Sequence, residues 1–346
     1  YTCAPQGPLR VVTAMRLNKR DKLWYGFIAA ALILPCIPGV IGGASFFGHV
    51  ATMVLLYASM AQSWNIISGY GGQVSFGHSV FFGIGAYGAG LAVVTFGSLP
   101  WYGAPLGMLA AAAVSILISY PCFRLKGHYF AIATFAIVEI FNRLFMIWDA
   151  VGGALGLDYP ILPDGWKNFS WSETKTGYYL GALAIFILVY GIVRWIEKNR
   201  MGYYLLAVRE GQETAESLGV NSTFVKLGAM ALSAALAALC GAFFAQYNYR
   251  VDPPMVMSLD MSMKFVLITI LGGIGTFWGP FLGALVLIPL QEYTRAYLSH
   301  LGAGIDLIIF GVIIIIVMIK EPRGIMGLLS YFTKNHAGGK REEAKF

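Results

Sequence analysis

Apolar residues in this chain come in long unbroken runs, not in the every-second-position alternation of barrel strands. A helix that crosses a bilayer needs about 20 apolar residues. By that measure the pattern predicts spans at 24–42, 47–67, 80–97, 103–122, 128–147, 177–196, 225–245 and 304–320, with 263–274 and 279–298 as two pieces of a broken region. The expected fold is an all-α polytopic membrane protein of about ten transmembrane helices, with broken or re-entrant segments and both termini cytosolic. It divides into an N-terminal tail over 1–22, a transmembrane domain over 23–320 that includes a polar loop at 197–227, and a C-terminal tail over 321–346.

Three stretches depart from the simple run. Residues 68–90 lie at membrane depth, yet they are rich in glycine and carry Gln73, Ser75, His78 and Ser79. Non-helical backbone is tolerated there only where protein or a water-filled cavity satisfies its N–H and C=O groups. This predicts a broken segment beside a substrate pathway, with close helix packing through small residues as the plainer reading. The second stretch echoes it: Gly272-Gly273-Ile274-Gly275-Thr276-Phe277 repeats Gly71-Gly72-Gln73-Val74-Ser75-Phe76 as two glycines, two residues, a hydroxyl and Phe. Interrupted segments in matching places are what an internal repeat leaves. Asn65, Gln73, Ser75, His78 and Thr276 are the candidate pathway residues. The third stretch is the charged, amphipathic loop from Glu197 to Leu227, where Arg209 to Gly219 is expected to form one short helix ended by Gly219. Glu210, Glu213 and Glu216 would make one acidic ridge on it.

Composition sharpens the class. Hydrophobic residues make up 58% of the 346 and charged residues 12%, about half the charged share of a soluble domain. From Leu23 to Phe123, 101 residues, there is no charge at all. A water-facing surface cannot be built from that. The net charge of +7 points to basic flanks between spans and not to nucleic acid. With the N-terminus inside, 18 of the 24 Lys and Arg fall on the cytosolic side. Cys3, Cys36, Cys122 and Cys240 are scattered without metal-ligand spacing, so no metal or other cofactor is expected. Gly339-Lys340-Arg341 lacks the spacing of a phosphate-binding loop, so no nucleotide site and no catalytic constellation is read. Residues 1–14 precede Met15 and its basic run, and are read as a possible non-native leader.

Two oppositely charged residues lie four apart in one span. Glu139 and Arg143 have the spacing of an ion pair along one helix face, and an interior structural pair is the expectation. His49 and His78 could relay protons in an ion-coupled transporter, but neither has an acidic neighbour in sequence.

Taken in order, NIISGYGGQVSFGHSVFFGIGAYGAG at 65–90, GHYFAIATFAIVEI at 127–140, RMGYYLLAVREGQETAESLGV at 200–220, LGGIGTFWGPFLGA at 271–284 and EPRGIMG at 321–327 resemble the permease subunits of branched-chain amino-acid ABC importers of the LivM type. The likeness covers about 24–330. It implies a multi-pass inner-membrane permease domain, not itself an enzyme, that moves branched-chain or other hydrophobic amino acids. It further implies a homologous second permease, two cytosolic ATPase subunits and a soluble periplasmic substrate-binding protein as partners. The spacing Glu213-x-Ala215-x-x-x-Gly219 is similar to the coupling helix of such permeases, which makes Arg209, Glu210, Glu213, Ala215, Glu216 and Gly219 candidate ATPase contacts. Thr214 departs from that pattern, which usually has Ala there. The alternatives are a related importer for urea or short amides and, from another class, an ion-coupled secondary transporter. The large docking loop and the lack of acidic residues beside the breaks disfavour the latter. The loop at 149–176 and the turn at Asp252-Pro253-Pro254 are expected to form an outer docking face.

Overall fold

The computed structural model describes residues 26, 46–94, 100–125, 127–160, 165, 176–298, 311, 312, 315 and 324–327. The N-terminal tail with its leader, most of the C-terminal tail, most of 161–175, and the spans at 24–42 and 304–320 apart from isolated positions lie outside the described residues.

The described residues are almost wholly helical. Helix α1 (Phe46–Asn65) runs into a π-turn over Ile66–Tyr70. After seven non-helical residues come α2 (His78–Val94), α3 (Pro100–Cys122) and α4 (His128–Ile147). Two short 3₁₀ turns and the strand β1 (Leu157–Asp158) precede α5 (Thr176–Lys198). Then follow α6 (Arg200–Glu210), α7 (Gln212–Ser217) and the long α8 (Ser222–Asn248). Strand β2 (Arg250–Val251), α9 (Pro253–Val256), α10 (Leu259–Gly272) and α11 (Gly279–Leu298) complete the order. Among the described residues six helical stretches are long and apolar enough to cross a membrane, and α2 is a shorter apolar helix beside them. The protein is an all-α polytopic membrane protein.

The centre of the bundle is α1, α2 and α8, and α5 and α10 pack against it, with large buried side chains such as Trp64, Phe82, Phe186, Tyr190 and Phe265 between them. Glycines set how near the helices lie. A Cβ on Gly241 of α8 would stand 1.9 Å from the Phe82 carbonyl oxygen, and one on Gly85 of α2 would stand 2.0 Å from that of Ala238. The small-residue packing reading therefore holds for α2, while the break holds for 71–77.

The pieces at 263–274 and 279–298 form a hairpin, α10 folding back on α11, and not one interrupted span. Backbone meets backbone along it: a Cβ on Gly283 would lie 1.9 Å from the Ile268 carbonyl oxygen. At one end of the bundle, β1 and β2 pair antiparallel, Leu157 opposite Val251 and Asp158 opposite Arg250, so the 149–160 loop and the 250–254 turn do meet. Asp252 caps α9 by accepting the Met255 N–H at 2.8 Å.

At the other end, the segment from Arg209 to Gly219 is not one helix. It breaks at Gly211, whose N–H closes α6 on the Ala207 carbonyl and whose carbonyl opens α7 on the Ala215 N–H. A glycine inside a helix costs about 1 kcal/mol, and side chains pull α7 aside onto α8. Gln212 accepts from Lys226 Nζ at 2.7 Å and donates to Glu216 and to Ser222 at 3.0 and 3.2 Å, while the Ser222 hydroxyl donates to Glu216. Glu210 belongs to α6, so the three glutamates make no single ridge. Gly219 does end α7, at φ 86°, with the Val220 N–H on the Ala215 carbonyl at 3.0 Å.

Candidate functional site

The two glycine motifs meet in space. Asn65, fully buried at the end of α1, donates from Nδ2 to the Thr276 carbonyl at 3.1 Å and accepts the Gly275 N–H on Oδ1 at 2.8 Å. A third bond runs from Nδ2 to Gln62 Oε1 at 3.2 Å. One amide thus stitches the first break to the second across 210 residues. The chains touch: a Cβ on Gly69 would lie 2.7 Å from the Gly275 nitrogen.

The first break satisfies its backbone mostly through side chains. Trp64 Nε1–H donates to the Ser75 carbonyl at 2.6 Å, the Phe76 N–H donates to Thr134 Oγ1 of α4 at 3.0 Å, and the Gly77 N–H to Ser75 Oγ at 3.2 Å. The Gln73 N–H reaches the Ile67 carbonyl at 3.2 Å, closing the π-turn. Where α2 starts, a polar seam continues. Ser233 Oγ–H donates to the Ser63 carbonyl at 2.5 Å, so His78 Nε2, 2.7 Å from the same hydroxyl, must be the donor to it. The Ser79 N–H donates to Ser262 Oγ at 3.1 Å, and that hydroxyl donates to Ser79 Oγ at 2.7 Å.

Three charged side chains reach this crossing from α5 and α6. Arg209 Nη1 donates to the Gly69 carbonyl at 2.7 Å, and a Cβ on Gly72 or on Gly275 would press on Arg209 at 2.9 and 2.7 Å. The guanidinium lies where α1 and α10 both end, and a cation at a helix C-terminus is stabilised by the helix dipole. Glu197 accepts from the Tyr70 hydroxyl at 3.0 Å and pairs with Arg194 at 3.1 Å. Arg194 in turn lies 5.8 Å from the Phe277 ring centre. Both breaks are therefore held by the helix–loop–helix unit around Lys198 and Asn199. Gly324, at φ 69°, underlies the second break against the Ile270 and Leu271 carbonyls.

The structure brings Asn65 and Thr276 together directly and sets Ser75 and His78 on the seam beside them. Asn65, Ser75 and His78 are buried, whereas Gln73 and Thr276 are half-buried. Of the coupling set, Arg209 reaches the breaks, Ala215 packs under α7, and Glu210, Glu213, Glu216 and Gly219 are exposed beside Leu218 and Phe224. His49 has an acidic partner after all, Glu292 at 3.5 Å, with the Tyr247 hydroxyl at 2.6 Å. The Glu139–Arg143 pair forms at 2.7 Å but is exposed, not interior, because α4 turns that side away from the bundle. Sequence reasoning missed Ser63, Ser68, Thr134, Ser233, Ser262 and Thr269. Their one signal is a hydroxyl within an otherwise apolar helix, which many harmless positions share.

The family model described as "Branched-chain amino acid transport system / permease component" matches residues 24–318. The permease protein LivM of a high-affinity branched-chain amino acid transport system of Salmonella typhimurium is 28% identical over 300 residues, 80% of this chain and 69% of the relative. BraD of Pseudomonas aeruginosa is 26% identical over 78% of this chain and 91% of its own length. LivH of Escherichia coli is 25% identical over 80% of this chain and 92% of its own length. No solved structure matches the chain significantly. The family match spans α1 to α11 and both breaks, and the chain belongs to the permease components of branched-chain amino acid transport systems.

Proposed function

We propose that this permease imports branched-chain or other hydrophobic amino acids across the bacterial inner membrane as one half of a permease heterodimer. It spans the bilayer about ten times with both termini in the cytosol. Two ATPase subunits bind at the α6–α7 end and hydrolyse the ATP, and a soluble binding protein delivers substrate at the β1–β2 end. The likeness to both LivM and LivH supports a second, homologous permease as partner. Asn65, Gln73, Ser75, His78 and Thr276 then lie on the substrate pathway where the two breaks separate. Arg209, Glu210, Glu213, Ala215, Glu216 and Gly219 present α7 to the ATPase.

The observation that carries this reading is the Arg209–Gly69 bond. It links the exposed, amphipathic α6–α7 unit to the place where the two breaks of the described bundle meet. A push on α7 therefore has a physical route to the breaks. The test is reconstitution of the chain with a second permease, two ATPases and a binding protein in proteoliposomes, followed by uptake of labelled leucine. Uptake should need ATP and all five chains. Uptake by this chain alone, driven by an ion gradient, would overturn the reading in favour of a secondary transporter.

A further inference from the structure

Helix α4 carries charge where a membrane helix should not. Phe130, Thr134, Val138, Asn142 and Phe145 form its buried side. That side is tied to the bundle: Thr134 accepts from Phe76, and Asn142 Nδ2 donates to the Met257 carbonyl at 3.2 Å. About 140° round the helix from the middle of that side, Arg143 and Glu139 pair at 2.7 Å with side chains 75% and 52% exposed. Around them Ile132, Phe135, Ile140 and Leu144 are exposed as well.

Depth makes this significant. At 1.5 Å per residue α4 is about 30 Å long, with Glu139 about 16 Å from one end and about 12 Å from the other. That is the middle of a hydrocarbon core of about 30 Å. Ionised groups at that depth face protein or a water-filled path, not lipid tails. The pair lies on the same helix as Thr134 but on the side turned away from the bundle, where a second permease of the reading above would close a path around it.

We infer that Glu139 and Arg143 form a way-station for a zwitterionic α-amino acid with an aliphatic side chain, on the path past α4. The inference rests on the permease reading above and adds to it a site with its own chemistry. At rest the two side chains neutralise each other. An arriving zwitterion exchanges partners with them: its carboxylate takes the Arg143 guanidinium, which suits bidentate binding, and its ammonium takes Glu139. Net charge at the site is zero before and after, so no uncompensated charge is left in a low-dielectric setting. The aliphatic side chain then lies against Ile132 and Ile140. Apolar walls alone would carry the side chain but would leave the two charged ends of the substrate unpartnered.

The test uses the assembled complex in proteoliposomes. Arg143→Gln should lower leucine uptake at least tenfold while the subunits still co-purify and basal ATP hydrolysis persists. Uptake within twofold of the parent, or loss of the complex, would overturn the inference, the latter by making the pair an assembly contact. A second measurement is labelling of Glu139→Cys with a charged, membrane-impermeant thiol reagent, with the parent's reading subtracted. Labelling that slows on adding leucine and ATP is expected. A position that never labels, or labels equally with and without leucine, overturns the inference. A parent complex that imports no amino acid overturns the permease reading instead, and the two failures are thereby told apart.

Discussion

The two breaks begin from the same six-residue pattern and end as different structures. After each, the helix restarts 201 positions apart, at His78 and at Gly279. The second break carries its own closing group. Thr276 Oγ1 donates to the Gly273 carbonyl at 2.7 Å and accepts the Gly279 N–H at 3.1 Å, so one hydroxyl closes the hairpin, and Asn65 is its side-chain partner from outside. The first break has Ser75 at the matching place, but it also leans on residues brought from elsewhere: Thr134 accepts the Phe76 N–H and Arg209 holds the Gly69 carbonyl, while Ser233 and Ser262 hold His78 and Ser79 along the seam. A motif of glycines and a hydroxyl thus permits interruption without specifying its form. The form is set by what packs nearby, and a segment held by distant partners changes shape when they move.

The comparison can be broken at four places. The largest effect should come from the frame that both breaks share. Gly241→Leu sets a side chain against the Phe82 backbone, and overpacking of that kind costs about 3 kcal/mol; thermal unfolding in detergent should show a large fall in the midpoint or no folded protein. Next is Asn65→Leu, which strips the Gly275 N–H and the Thr276 carbonyl of their partner at a cost of about 2 kcal/mol. It should abolish leucine uptake, and hydrogen exchange at 273–278 should rise more than at 71–77. Third, Arg209→Gln should leave the fold intact, because the side chain is partly solvated, yet lower uptake by about tenfold, equivalent to 1.4 kcal/mol. ATP hydrolysis should continue in that variant, and equal loss of both activities would contradict the assigned link. The smallest effect is Gln73→Ala. Its backbone bond to Ile67 is untouched, so stability should move by no more than about 0.5 kcal/mol, while cysteine labelling at this half-buried position should report opening of the first break.

Much of the architecture was legible because long apolar runs bounded by polar residues have one reading. The helices at 128–147 and 279–298 match the predicted bounds. What was not legible depends on neighbours in space. The π-turn at 66–70 follows from Asn65 and Arg209 holding the chain from two sides, and neither contact is encoded in local pattern. The exposure of Glu139 and Arg143 escaped for a related reason. Where a helix is apolar all round, periodicity cannot say which side turns inward. The candidate pathway residues were found from their polarity amid glycine, yet Ser75 is packed so tightly against Trp64 that a bulky side chain there would disturb the fold as well as any path. Gln73 is the cleaner probe. The break at Gly211 was signalled by a glycine within a helical pattern, but the pull of Lys226 and Ser222 on α7 was not.

The network that fastens α7 to α8 has a mechanical corollary. Helix α8 is a single 27-residue rod with no proline and no bulge, carrying α7 at one end through Gln212, Glu216, Ser222 and Lys226. It is held over its middle third, from Ser233 to Gly241, against α1 and α2. A rod clamped there moves as one piece, so a displacement at the α7 end is passed to the opposite tip. That tip leads straight into Arg250 and the two-stranded ribbon, so a shift at one face of the protein would be felt at the other.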